Sequence, residues 1–197
     1  MTIIKSALEI AMEKAKKIDM LSPEEMSEIK QQEKIDAIMS QFYKGQIGSD
    51  DLWHHLKGLP DNILINAQKN LLQSLTFLSN DHEVQKRKKG ILAIENLKNT
   101  NQLSDIEFHL EQLKRIQEEH QRNKEQLMQN LREEFERDPQ KRLQAFQQGN
   151  QIMIKEMSME EALEQDQELH KQLKQAEKQS KKRFNLIKEK LTEIIKP

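Results

Sequence analysis

LSDIEFHLEQLKRIQEEHQRNKEQLMQNLREEF, residues 103–135, decides the fold. Leu103, Ile106, Leu110, Leu113 and Ile116 recur at steps of three and four, so a helix lines them up on one face. Ten residues without an apolar side chain follow, Gln117 to Gln126, and the spacing resumes at Leu127, Leu131 and Phe135. The expected start is a capping box of Ser104 and Glu107, with Leu103 and Phe108 as its hydrophobic staple. Asp138-Pro139 ends the run, because proline clashes with the carbonyl four residues back and restricts its predecessor. Asp138 should then cap a new short helix with Pro139 at its first position.

A second long helix is expected after Ser158, which with Glu161 forms another capping box, Met157 and Ala162 being the staple. Leu163, Leu169, Leu173, Ala176, Phe184, Ile187, Leu191 and Ile194 mark its face. The connection between the two helices is short, so they pair antiparallel. That arrangement lays Leu103–Ile116 beside Phe184–Ile194 and the polar stretch beside the thinnest part of the second helix. It also sets five acids and two bases of Asp105–Glu119 against six bases and one acid of Lys178–Lys190. Charge pairs of this kind fix partner and orientation more than stability. The fold class is therefore all-α: an N-terminal helical bundle, residues 1–100, and a long coiled-coil-like hairpin, residues 101–197, with a small distal helical lobe at about 127–163.

Composition sets limits on function. Of the 197 residues 33% are charged, yet the net charge is −1, which argues against a protein built around phosphate binding. Hydrophobic residues make up 35%, too few for one thick core but enough for thin helical layers. No cysteine occurs, which excludes disulfides, thiol catalysis and thiolate metal sites. No run approaches the ~20 apolar residues of a membrane span, and the start lacks a signal-peptide core. The expected location is the cytoplasm.

Before the hairpin, Ile3, Ile4, Ala7, Leu8, Ala11, Ala15 and Ile18 give a first amphipathic helix over residues 2–18. Its string, MTIIKSALEIAMEKAKKI, resembles the start of a bacterial family of small, predominantly helical proteins without an assigned function. The resemblance implies a bacterial cytoplasmic protein and brings no activity or site residues. Ser22 and Glu25 make a further capping box, with Leu21 stapled to Met26, ahead of a second helix. Gly45 and Gly48 bracket a turn, and a short helix carries Leu52, Trp53 and Leu56. The helix after Asp61 is apolar on more than one side and should form the centre of the bundle. Another runs from His82 to about Lys98.

No catalytic, cofactor or small-molecule motif emerges. Asp105/His109 and Asp166/His170 have a spacing that can grip a metal, but antiparallel pairing holds them too far apart to complete one site, so no metal is expected. Trp53 reads as a core or inter-helix anchor, the alternative being a stack on a ligand or base. Two basic clusters, Lys86-Arg87-Lys88-Lys89 and the Lys178–Lys190 stripe with Lys181, Lys182 and Arg183, can touch nucleic acid or simply be solvated and paired. The far end of the hairpin gathers Leu143, Phe146, Ile152, Met153, Ile154, Met157 and Met159. These read first as a closed distal core with Leu127, Met128, Leu131, Phe135 and Leu163. The sharper alternative is a partner-binding tip of Phe146, Ile152, Met153 and Met157, since methionine suits adaptable contacts. The expected function is a non-enzymatic interaction or scaffold protein that binds a protein partner or itself; the alternative is a nucleic-acid- or ribosome-associated factor.

Overall fold

A computed structural model describes residues 22–98, 100–148 and 151–196. The expected helix over residues 2–18, the Leu21 staple and the Glu25 side chain of the first capping box lie outside this set. The described residues form helices α1 (Pro23–Lys44), α2 (Ser49–Leu56), α3 (Asp61–Ser74), α4 (Asp81–Glu95) and α5 (Leu103–Arg137). A 3₁₀ turn (Pro139–Arg142), strands β1 (Leu143–Gln148) and β2 (Gln151–Glu156), and helices α6 (Met159–Gln165) and α7 (Gln167–Ile194) follow.

The protein is mostly helical, and the long α5 packs against α7. The apolar faces of the two long helices supply the buried side chains of their pairing. Ile106, Leu110, Leu113 and Ile116 of α5 join Phe184 and Leu191 of α7 in one core with residues of α1 to α4. A second, smaller cluster holds Phe135, Ala162, Leu163 and Leu169, with Leu127, Leu131, Met157 and Leu173 against it. The end of α7 thus lies with the start of α5, and its start with the end of α5, so the two run in opposite directions. The apolar-free stretch 117–126 separates the clusters.

Helix α3 lies at the centre of the first core, burying Leu64, Ile65, Ala67, Leu71 and Leu72. Gly90 of α4 allows the close approach of Phe42: a Cβ there would stand 2.8 Å from Phe42 Cζ and 3.0 Å from Leu71 Cδ1. Gln68 also lies in this core, and its amide bonds Ile91 O, Glu95 and Lys98, so no part of it is left unsatisfied. Between α3 and α4, the Gln117 amide donates to the carbonyls of Phe77 (2.8 Å) and Ser79 (3.1 Å). The first residue of the polar stretch is therefore the tie for this loop. Lys188 Nζ donates to Leu75 O (2.7 Å) and Gln73 O (2.9 Å), capping the carbonyl end of α3 from α7.

Four expectations are corrected. The fold is not purely helical: the segment expected as a helical distal lobe contains the antiparallel pair β1–β2. Asp138 and Pro139 start only a four-residue 3₁₀ turn, without a side-chain cap. The Ser104–Glu107 box does not form, because α5 begins at Leu103 with Gln102 as its N-cap, and Glu107 turns to Lys88 instead. Phe108 is correspondingly exposed. The second long helix is broken at Asp166, whose carboxylate accepts from Leu169 N at 2.6 Å and restarts the helix as α7. In one unbroken helix Leu163 and Leu169 would be roughly 240° apart around the axis, on different faces; the break lets both enter the cluster at Phe135. The Ser158–Glu161 box does form, with Ser158 N donating to Glu161 and Glu161 N to Ser158 Oγ.

Candidate functional site

The β-hairpin is built from the proline stop outward. Pro139 ends α5, the 3₁₀ turn follows, and Leu143–Gln148 forms β1, none of whose residues joins the distal cluster. Its register pairs Leu143 with Glu156, Ala145 with Ile154, Phe146 with Met153 and Gln147 with Ile152. At the base, Met157 N donates to Arg142 O, while the Arg142 guanidinium donates to Met157 O (3.0 Å) and to Glu156 (2.6 Å). This clamp holds the hairpin to the start of α6. The Ser158 N–H and then the Lys155 ammonium hold the Glu161 carboxyl below the usual range.

Directly opposed residues in an antiparallel pair share a face. One face carries Leu143, Ala145, Gln147, Ile152, Ile154 and Glu156; the other carries Gln144, Phe146, Met153 and Lys155. The second face turns toward α6, where Gln144 bonds Gln165 (3.1 Å) and Lys155 meets Glu161 (3.5 Å). Exposure follows from this: Phe146 and Met153 are 41% and 44% exposed, while Ile152 and Ile154 are 79% and 69% exposed.

The residues expected at the partner-binding tip therefore divide. Phe146, Ile152 and Met153 stay on the surface, with Ile154 and Leu143 beside them. Met157 and Met159 pack against the distal cluster. A closed core exists, and five apolar side chains remain outside it. Ala145 completes the open face and was not singled out by the sequence. A detectable signal was there, since Leu143 to Ile154 holds no charge and Gly149-Asn150 separates two apolar runs, a pairing suited to hairpin turns.

The basic clusters are dispersed. Helix α4 fans its four consecutive cations around the axis, so they do not form one patch. Lys86 donates to Tyr43 O and lies over the Phe42 ring, and Arg87 bonds Ser74 Oγ and covers the Tyr43 ring. Lys88 clamps Glu107 and Glu111 of α5; burial works against its charge, but these two carboxylates raise its pKa above the ordinary value. Lys89 is exposed. On α7, Arg183 pairs with Glu119 at 3.1 Å, and Lys181 and Lys182 are exposed. The acidic side of α5 is thus matched largely by α4, and Arg183–Glu119 is the cross-helix pair from the α7 stripe among the described residues.

His109 and His170 each turn Nδ1 to a backbone carbonyl one turn back, Asp105 O and Asp166 O, both at 2.8 Å. Among the described residues no group of three or more His, Asp or Glu could hold a metal ion. An open groove of about 1290 Å³ runs along the polar stretch beside the α3–α4 loop. Its walls include Phe77, Leu78, His120 and Leu173, the His120 ring lying 5.0 Å from that of Phe77. Lys114 at its rim pairs with Asp81 and Glu118, which raise the lysine's pKa. Trp53 is half-buried, with Lys57 over its ring at 5.0 Å. Among the described residues no helix is long and apolar enough to cross a membrane.

No family model, curated protein or solved structure matches the chain.

Proposed function

We propose that the chain is a non-enzymatic interaction protein. Its paired long helices act as an antiparallel, coiled-coil-like arm, and the β-hairpin at the end of that arm is its contact surface. The observation that carries this reading is the exposure of Leu143, Phe146, Ile152, Met153 and Ile154 together on one two-stranded element. Scattered apolar residues on a surface need no explanation, but a contiguous group of them marks a contact site. An isolated two-stranded hairpin is at best marginally stable in water, so this one gains from whatever covers it.

The nucleic-acid alternative draws less support. Lys86, Arg87 and Lys88 are occupied within the protein, and the hairpin carries no charge from Leu143 to Ile154 to meet a phosphate. Filter binding of RNA and DNA at low salt, where electrostatic binding is strongest, should detect none.

The contact reading is tested by Ile152→Glu/Ile154→Glu. Both side chains are exposed, so the thermal midpoint should stay within a few degrees while protein partners are lost from a nuclease-treated native pull-down. A variant that loses stability but keeps every partner would refute it.

A further inference from the structure

The open face of the hairpin has a shape and a charge pattern that suit one occupant in particular. Leu143 to Ile154 is twelve residues without a charge, the longest such run in a chain whose residues are 33% charged. A headgroup, a nucleic acid or a charged peptide would find no countercharge there. The one ionised side chain on that face, Glu156 at its base, is already held by Arg142. The surface therefore fits an apolar, uncharged partner. Every copy of this chain presents such a surface.

The face also complements itself in relief. Ala145 lies directly beside Ile154, a small side chain next to a large one. Stack two hairpins face to face about a two-fold axis parallel to the strands, and β1 of one copy lies over β2 of the other. Each Ile154 then sits over the Ala145 of the second copy at the centre of the face, with each Ile152 over its Gln147 toward the turn and each Leu143 over its Glu156 at the base. Large over small across facing sheets is how stacked layers interdigitate at their ~10 Å spacing. A two-fold contact needs this self-complementarity, because the same patch serves both sides.

We infer that the open hairpin face, Leu143, Ala145, Ile152 and Ile154, is the dimer contact of this protein, packed against the same face of a second copy. This rests on the contact-surface reading above and names its partner. The face is small beside the roughly 800 Å² per partner of a standard interface, so the dimer is weak and its population depends on concentration.

The chain lacks cysteine, which allows a clean test. Ala145→Cys places a single thiol on the open face, and Gln144→Cys places one on the face turned to α6. Light scattering of the unmodified chain, followed up to about 0.5 mM, should show the mass rising from one chain toward two. A short bis-maleimide should join Ala145→Cys at least tenfold faster than Gln144→Cys, and Ile154→Glu should abolish both the mass increase and the cross-link. A chain that stays monomeric throughout overturns the inference, as does equal or preferential cross-linking through Gln144→Cys. The two readings fail separately. Monomer with partners still lost on Ile152→Glu/Ile154→Glu defeats only the second copy, and monomer with no partner lost defeats the contact surface as well.

Discussion

Glu95 and Lys98 form an ion pair at 3.1 Å in which each side chain is 1% exposed. Both also bond the buried Gln68 amide, and Thr100 donates to the second carboxylate oxygen. Burial pushes the Glu95 pKa up, but the hydrogen bonds from Thr100, Gln68 and Lys98, with the lysine charge, together hold it below the ordinary carboxylate value. The pair fixes the end of α4 against α3. Removing one partner strands the other. Lys98→Met should lower stability by about 3–5 kcal/mol, and Glu95→Leu/Lys98→Met by clearly less, because it leaves no uncompensated charge. Urea midpoints of the two variants check the order.

The same carboxylate gives a pH dependence. Its folded pKa is depressed, so its contribution is complete above the unfolded value, near 4.5, and is lost as pH falls through the folded one. Stability should decline below about pH 4.5, and Glu95→Gln should flatten that part of the profile. Urea titrations between neutral pH and pH 3 measure the slope; an unchanged acid limb would show that Glu95 does not contribute to it.

Gly90→Ala sets two effects against each other. Alanine gains roughly 0.5–1 kcal/mol over glycine inside a helix. Its methyl would meet Phe42 Cζ at 2.8 Å and Cε1 at 2.9 Å, atoms of a ring fixed in the core. Overpacking of that kind costs about 1–3 kcal/mol. The net effect should be destabilising, and Phe42→Leu should relieve part of it, so that the two changes are less than additive. Thermal melts of both single variants and the double variant test this coupling.

Asp166→Ala removes the acceptor for Leu169 N at the start of α7. Loss of such a cap costs about 0.5–2 kcal/mol. It also removes the break that lets Leu163 and Leu169 share the pocket around Phe135. Amide exchange should speed up around Phe135 and Leu163, while protection at Leu110 and Leu113, in the other cluster, stays unchanged.

Lys188→Met leaves the carbonyls of Gln73 and Leu75 without their ammonium donor. Burial holds the Lys188 pKa below the usual lysine value, so part of the bond energy is spent in desolvation. A loss of about 1 kcal/mol is expected, with faster exchange in the last turn of α3 as the local readout.

The helix pair was legible because its three- and four-residue spacing persists over long stretches, and because an apolar-free gap at 117–126 is as distinctive as the faces it separates. The Ser158–Glu161 box was legible too, since an extended strand precedes it and leaves the serine a true first position. Ser104 offered the same signature and failed, because two residues earlier Gln102 had already opened the helix. The hairpin was missed for a reason of pattern. Ile152, Met153 and Ile154 are consecutive apolar residues, which blurs the alternation by which a two-faced strand is recognised. The distal cluster could be found by composition, but not which half of it would be covered. Met157 and Met159 turn inward because α6 starts beside Phe135. Lys86 to Lys89 read as a patch only when written on a line; around a helix the first two turn to Tyr43, Lys88 turns to α5 and Lys89 to the surface.

The polar stretch between the two clusters has one further implication. Beyond the Gln117 tie, residues 121–126 contribute no side chain to either core. Spacing between the clusters is therefore decoupled from the stability of each. Matched insertions of seven residues there and in the facing part of α7 would lengthen the arm by about 10 Å while leaving both ends as they are. Reach is an adjustable dimension of this architecture, set by a segment that serves neither core.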